Sequence, residues 1–195
     1  MNPGEPKSSS SRPPMIMSGI GIGKLKIGDS PETVLATMKA SGSISDYATE
    51  HKVFNDFNYV PEHYLQFLLG FDSVMVFHED DGPTYPVFKI YFKNNAAVFI
   101  IVSSYGTDVF DYNYCRQIGT EKGISFGDAE EDILERYGKE EIKHIYGNYD
   151  GDFIYLKLGV SFICDEAKLR VIRIFQPVND EKQIKALKAH YQRLE

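Results

Sequence analysis

The sequence predicts an α+β fold: two tandem repeats of a short helix plus an antiparallel β-meander forming a curved sheet, with a C-terminal helix. Three observations lead to this prediction. Short segments of alternating polarity recur along the chain, as in half-buried strands. Two helix starts, at Gly28 and Gly127, lie 99 positions apart, and each precedes a group of such segments. A chain of 195 residues with 43% hydrophobic content is long enough for one domain or two small repeats sharing a core.

Residues 1–18 are predicted to be a disordered tail because their first part contains four consecutive serines and four prolines. They contain no apolar segment of the kind found in secretory signals, so we expect a cytoplasmic protein. The two cysteines, Cys115 and Cys164, are too few for a disulfide scaffold. Reduced thiols are expected, and a single bridge is the alternative.

The first unit is predicted to span residues 19–112. Residues 20–27 alternate apolar residues with Gly or Lys, which predicts a strand. Asp29 or Ser30 then caps a helix, Glu32 has capping-box spacing from Asp29, and Gly42 ends the helix. Residues 43–63 have no clean period and are interpreted as a loop with room for a short helix. The strands expected next are residues 64–69, 74–78, 87–93 and 96–103, with a two-residue turn of asparagines before the last.

The second unit is predicted to span residues 113–195 in the same order. Asp128 and Glu131 have capping-box spacing, and Gly138 ends the helix. The strands expected next are residues 142–146, 153–158, 160–164 and 169–175, with a turn at 165–167. After Pro177, Asp180 opens the C-terminal helix, whose apolar residues fall on one side.

The two helix starts correspond residue by residue. Ile27-Gly28-Asp29 matches Phe126-Gly127-Asp128, and Glu32 matches Glu131; Val34-Leu35 likewise matches Ile133-Leu134. Two such units are expected to pair edge to edge, with the helices covering one face of the sheet. These segments resemble the small repeat shared by SmpA/OmlA outer-membrane assembly lipoproteins and β-lactamase-inhibitor-like proteins. The resemblance implies a tandem-repeat, non-catalytic binding fold.

Motifs for catalysis or metal binding are incomplete. The segment of residues 19–24 has neither the first glycine nor the final Ser or Thr of a phosphate-binding loop. Asp150 and Asp152 lack the glutamate that would complete a calcium loop, so solvated turns are expected there. The five histidines show no zinc spacing, and no nucleophile elbow occurs. We therefore predict no cofactor, no metal site and no enzyme; an enzyme that uses scattered residues such as His144 or Asp150 is the least favoured alternative.

Charge distribution is the observation on which the predicted function depends. The net charge of −7 argues against nucleic-acid binding, and no apolar run is long enough to span a membrane. Residues 46–81 contain eight acidic residues and one lysine. Residues 121–152 contain ten acidic residues and four basic ones. The negative charge is therefore concentrated in two segments.

Aromatic residues are interleaved with these acidic residues, and together they predict a surface for a basic protein partner. The predicted partner-binding residues are Asp56, Phe57, Tyr59, Glu79, Asp80, Asp81, Asp111, Tyr112, Tyr114, Asp150 and Asp152. An immunity protein that masks a basic toxin is a concrete form of this hypothesis. The alternative is a carrier of a small or lipid-like ligand on the concave sheet face, consistent with 13 Phe and 13 Tyr. The oligomeric state is left open.

Overall fold

The computed structural model describes residues 15–40, 52–54, 65–77, 88–104, 118–146 and 150–194, with the backbone alone at 52–54, 67, 146 and 150. These residues form an α+β fold with two open, mostly antiparallel sheets. The helices are α1 (Pro31–Ala40), α2 (Leu65–Leu69), α3 (Glu130–Tyr137) and α4 (Glu181–Tyr191). The strands are β1 (Met15–Met17), β2 (Gly21–Ile22), β3 (Leu25–Lys26), β4 (Lys52–Phe54), β5 (Ser73–Phe77), β6 (Phe88–Lys93), β7 (Ala96–Ser103), β8 (Gly119–Thr120), β9 (Ile142–Tyr146), β10 (Asp150–Tyr155), β11 (Val160–Asp165) and β12 (Lys168–Phe175).

The larger sheet has eight strands in the order β4-β5-β6-β7-β12-β11-β10-β9. Its two halves come from the two halves of the chain. They meet where β7 and β12 pair antiparallel, with Phe99 opposite Phe175 and Val102 opposite Ile172. Phe99 and Phe175 also stack, with ring centroids 5.1 Å apart. The core is therefore continuous across the junction between the halves.

The smaller sheet has the order β3-β2-β1-β8 and joins the N-terminal segment to the second half of the chain. The pairing of β1 with β8 is parallel, with Met15 opposite Gly119. The single strand expected at residues 20–27 is wrong. Gly23 has a φ of +57°, so the chain turns there and the segment becomes the β2–β3 hairpin.

The larger sheet is covered on both of its faces. The helices of the two units, α1 and α3, lie together on one face as expected, whereas α2 and α4 lie on the other. We call one side the α3 face: its buried cluster includes Ile90, Ile100 and Phe162 of the sheet with residues of α1, α3 and the smaller sheet. We call the other side the α4 face: its cluster includes Val76 and Phe99 of the sheet with residues of α2 and α4. Period-2 alternation cannot show this difference, because it says only that neighbouring residues point to opposite faces.

A loop ahead of α1 docks on the start of β7. The Gly28 N–H donates to the Ala97 carbonyl at 2.7 Å, and the Ala97 N–H donates to the Asp29 carbonyl at 2.8 Å. The Asp29 carboxylate accepts from the Lys26 N–H at 2.7 Å, so it closes the turn and does not form the predicted capping box. Ser30 caps α1 instead, because its Oγ accepts from a backbone N–H of the first turn at 3.3 Å.

A loop ahead of α3 docks in the same way on the start of β12. The Gly127 N–H donates to the Leu169 carbonyl at 3.0 Å, and the Leu169 N–H donates to the Asp128 carbonyl at 2.9 Å. The Asp128 carboxylate accepts from the Ser125 N–H at 2.8 Å, so this capping box is also wrong. Asp132, one turn further on, accepts from the backbone N–H before α3 at 3.0 Å. Asp29 and Asp128 therefore each stabilise the loop ahead of a helix.

The remaining two helices have different outcomes: α2 replaces a predicted strand, and α4 was predicted correctly. Residues 64–69 were expected to be a strand, but 65–69 form α2, which ends at Gly70 with a φ of +79°. The run of apolar residues there has no alternation, so tertiary packing decides between helix and strand. The C-terminal helix is confirmed, with the Asp180 carboxylate accepting from the Lys182 N–H at 2.9 Å. Among the described residues, no helix has the length and apolar character needed to cross a bilayer.

Candidate functional site

Most of the predicted partner-binding residues lie outside the described residues. Those outside the described residues are Asp56, Phe57, Tyr59, Glu79, Asp80, Asp81, Asp111, Tyr112 and Tyr114, together with Cys115. Asp150 begins β10, and its side chain is not described. The acidic aromatic surface therefore stays a prediction.

Asp152 is described, and its prediction as a solvated, partner-binding residue is wrong. It lies inside β10 with none of its surface exposed. Its carboxylate forms an ion pair with the guanidinium of Arg173 on β12, which is 1% exposed. A buried carboxylate is costly without such a partner. The sequence pattern of two aspartates around a glycine indicates a turn, and the burial of this strand by tertiary packing overrides that signal.

The ion pair crosses one strand on the α4 face. β11 lies between β10 and β12, and Ser161 of β11 is directly opposite Arg173. Two strand spacings separate β10 from β12, about 10 Å. A long arginine side chain spans that distance, and the small Ser161 side chain leaves room for it to pass. Neither charged group is accessible to a ligand in this arrangement, which favours a role in fixing how these strands pack.

Tyr191 and His144 lie beside the ion pair. His144 is directly opposite Asp152 on β9, and its ring is 5.3 Å from that of Tyr191 at the end of α4. Burial raises the pKa of Tyr191, the charge of Asp152 raises it further, and Arg173 lowers it. The last turn of α4 therefore covers a polar cluster made of Asp152, Arg173, Ser161, His144 and Tyr191.

Sequence reasoning missed Arg173, although a signal was available. It is the one charged residue between Val171 and Phe175, in a segment whose other members are all apolar. Since β12 is central and every residue from 171 to 175 is buried, a charged residue there requires a buried partner of opposite sign. The sequence does not identify that partner, which lies 21 positions away on another strand.

The outer side of α3 carries the acidic surface that the structure does describe. Ile133 and Tyr137 are buried against the sheet, whereas Glu131, Asp132 and Glu135 are exposed. These carboxylates fall in the acidic segment of residues 121–152 that the sequence singled out. Arg136 of the same helix is also exposed, so three carboxylates and one guanidinium leave a net negative local potential.

Lys143 and Glu130 lie at the edge of that acidic surface. Lys143 Nζ is 2.7 Å from Glu130 Oε1 and 4.8 Å from the centre of the Phe153 ring. The Lys143 charge is therefore directed to one carboxylate and one ring of its own chain. The exposed carboxylates of α3 remain on the outer surface.

Lys89 is a second charged residue that sequence reasoning missed. It lies in β6 between Val76 of β5 and Ile101 of β7, so its side chain is on the α4 face. Burial lowers the pKa of its amine. No ion pair joins Lys89 to a carboxylate within the described ranges.

The remaining candidates for chemistry among the described residues are a thiol, a metal site and the carboxylates near the helix starts. Cys164 is fully buried, and burial raises the pKa of its thiol to about 12, so the thiol is a poor nucleophile at neutral pH. In the described part of the chain, no three His, Cys, Asp or Glu side chains are grouped closely enough to hold a metal ion. Asp29 and Asp128 close the loops described above, and Glu32 and Glu131 are exposed.

Comparison of the chain with protein-family models, with curated protein sequences and with solved structures gives no match. The resemblance to the SmpA/OmlA and β-lactamase-inhibitor-like repeats therefore stays a prediction.

Proposed function

We propose that this protein is a non-catalytic binding protein that presents carboxylates to a basic surface of a protein partner. The observation that carries the proposal is the two-sided character of α3. Its apolar side is buried through Ile133 and Tyr137, and its outer side exposes Glu131, Asp132 and Glu135. Complementary charge speeds association and selects between partners. An immunity protein that covers the basic surface of a toxin nuclease is a concrete form of this function.

We also propose that the two halves of the chain arose as tandem repeats. The matching hydrogen bonds of the loops at Gly28 and Gly127 support this proposal. So do the two hairpin turns, because Asn94, Asn95, Glu166 and Ala167 all have φ between +50° and +62°. A repeated scaffold suits a binding protein, since one unit can diverge at the surface while the other maintains the shared core.

The test of the binding function uses two variants with equal net charge. The first is Glu131→Lys with Glu135→Lys, on α3. The control is Glu32→Lys with Glu181→Lys, which makes the same charge change at exposed positions on α1 and α4. Each protein, immobilised, captures partners from a lysate of its source, and captured candidates are purified and titrated by calorimetry at low and high salt.

We expect a basic partner that binds the wild type and the control, and whose affinity falls by about tenfold or more for the α3 variant. Its affinity for the wild type should fall as salt rises, because exposed charges are screened. Equal affinity for all three proteins, or the absence of any partner that binds in purified form, would count against the proposal.

A carrier function for a small or lipid-like ligand is the second candidate. The observation that favours it is the half-buried Lys89 on the α4 face, which has apolar neighbours on both adjacent strands and no ion pair within the described ranges. Ligand sites in proteins combine an apolar lining with a few placed polar groups.

A further inference from the structure

Lys89 lies on the α4 face, and no carboxylate of the described residues forms an ion pair with it. Its direct neighbours across the sheet are Val76, 6% exposed, and Ile101, which is half-buried. A partly desolvated ammonium group is unfavourable unless an anion accompanies it. The described carboxylates supply no such anion, even though acidic residues outnumber basic ones in the chain by 28 to 21.

In the second half of the chain, the buried anion Asp152 lies on β10, which corresponds to β5 in the first half. In both halves a bulge interrupts the central hairpin, directly after Tyr91 in one and Ile163 in the other. The residue opposite Ile163 on the preceding strand is Asp152, and the residue opposite Tyr91 is Val74. β5 is therefore the first-half counterpart of β10, and it has the apolar Val74 where β10 has the buried Asp152.

The innermost strands have partly exposed residues on the same face. Ile101 and Ser103 of β7 and Ile163 of β11 are half-buried, although these strands lie in the middle of the larger sheet. α2 lies towards β6, since Lys93 of β6 donates to its last carbonyl. α4 lies towards β9, where Tyr191 meets His144. We call these half-buried residues, together with Lys89, the central strip.

Arg173 does not supply a second binding cation to the central strip. It lies on β12, and its guanidinium pairs with Asp152 on the far side of β11 from Lys89. Among the described side chains, one ammonium group therefore remains to select a ligand. It lies beside a mostly apolar floor, in which the buried Val171 of β12 lies between Ser103 and Ile163. This combination matches one negative charge joined to a hydrocarbon chain, because a phosphate with two charges would require further donors.

We propose that the central strip binds a long-chain carboxylate, with the carboxylate on Lys89 Nζ and the alkyl chain along Ile101 and Ile163. Three strand spacings separate β6 from β11, about 14 Å, which gives an extended chain room to lie across the sheet. The proposal deepens the carrier function and rests on it, and it is independent of the acidic surface of α3. Burial of the alkyl chain supplies affinity, and Lys89 selects the charged head group.

The test is a calorimetric titration of the full-length, delipidated protein with sodium dodecanoate below its micellar concentration. We expect saturable binding at one site, reduced about tenfold or more in Lys89→Met and retained in Lys89→Arg. The matched control is Lys24→Met, which removes an exposed lysine from the β2–β3 turn and should bind as the wild type does. In 13C NMR spectra of dodecanoate labelled at its carboxyl carbon, the carboxylate resonance should shift when wild-type protein is added. It should not shift when Lys89→Met is added.

Three further ligands identify what is recognised. Dodecanol has a chain of the same length without the charge, and we expect it to bind about tenfold or more weakly than dodecanoate. Dodecyl phosphate and vesicles of an anionic phospholipid test for a phosphate head group and a membrane surface; stronger binding of either than of dodecanoate would overturn the proposal. Equal binding of dodecanoate and dodecanol, or of dodecanoate to the wild type and Lys89→Met, would also overturn it.

A carboxylate of the chain itself is the remaining candidate partner for Lys89. Glu79, Asp80 and Asp81 lie outside the described residues and precede β6 in sequence. If one of them pairs with Lys89, the wild type should not bind dodecanoate, and the triple amide variant Glu79→Gln, Asp80→Asn, Asp81→Asn should gain binding. That pair of results would overturn the proposal.

The two proposed functions can be tested independently of each other. The α3 variant Glu131→Lys with Glu135→Lys should bind dodecanoate as the wild type does. Loss of partner binding in that variant, with dodecanoate binding intact, is the result expected if both proposals hold. Failure of dodecanoate to bind any of the proteins would remove the carrier function without affecting the acidic-surface hypothesis.

Discussion

The meander β5–β7 and the meander β10–β12 share a backbone arrangement and differ in the charges they place on the α4 face. Both have a bulge in the same hairpin and a final turn whose two residues have positive φ. Where the second meander has Arg173 opposite Ser161, the first has Ile101 opposite Lys89. Among the side chains that the structure describes, each half thus has one cation in this row, and the two lie on different strands.

The comparison separates what the fold requires from what each half adds. The first meander forms with Val74 and Ile101 at the positions where the second has Asp152 and Arg173. The buried ion pair is therefore not a requirement of this backbone arrangement. The cation of the second half is neutralised within the chain, whereas we propose that the cation of the first half is neutralised by a ligand.

The largest effect is expected from removing one member of the ion pair. Asp152→Val leaves Arg173 buried without that carboxylate. Arg173→Ile leaves Asp152 buried without that guanidinium. Each should lower the free energy of unfolding by about 3–5 kcal/mol. Urea unfolding followed by circular dichroism measures the loss, and Val74→Ala in the first meander shows the effect of an apolar deletion at the equivalent position. A loss below about 1 kcal/mol in both would mean that the buried charges are hydrated.

A smaller effect tests whether the docked loops are equivalent. Gly28 and Gly127 have φ of +95° and +90°, where an alanine is strained. Gly28→Ala and Gly127→Ala should each cost about 1–3 kcal/mol of unfolding free energy. Comparable losses would sharpen the equivalence of the halves. A loss confined to one variant would show that only one loop supports the fold.

The double variant Asp152→Val with Arg173→Ile transfers the apolar residues of the first meander to the second. We expect its free energy of unfolding to equal or exceed that of the wild type, because no charge is left buried. The double-mutant cycle with the two single variants gives the coupling energy. A double variant as unstable as either single one would show that packing around Ser161 and Tyr191 requires the ion pair.

The smallest effect concerns Lys89 in the absence of ligand. Burial lowers the pKa of its amine from 10.5, so between the lowered pKa and 10.5 the unfolded chain binds more protons than the folded one. Folding stability therefore rises with pH through that window, and the full penalty of the charge applies below it. Lys89→Met should be more stable than the wild type at neutral pH and should lack this rise. Unfolding at pH 7 to 10, with Lys24→Met as control, measures both.

The elements whose signals are local could be predicted from the sequence alone. Ser30 located the start of α1, Gly138 the end of α3 and Asp180 the start of α4. Alternation located β5, β6, β7, β9, β11 and β12 equally well. Local signals are sufficient here because a helix start depends on backbone donors within one turn, and a hairpin turn depends on two residues that tolerate positive φ.

How these elements face one another, and which charges are buried, depends on contacts between distant parts of the chain. Whether residues 65–69 become a helix, and which helices cover which face, depends on packing between distant segments. Asp152 has the sequence context of a solvated turn, yet the placement of Arg173 two strands away makes it a buried ion. Lys89 has the context of an ordinary strand lysine, and its partial burial follows from the strands on either side. A sequence pattern reports periodicity along one strand, whereas burial and charge pairing depend on neighbours across the sheet.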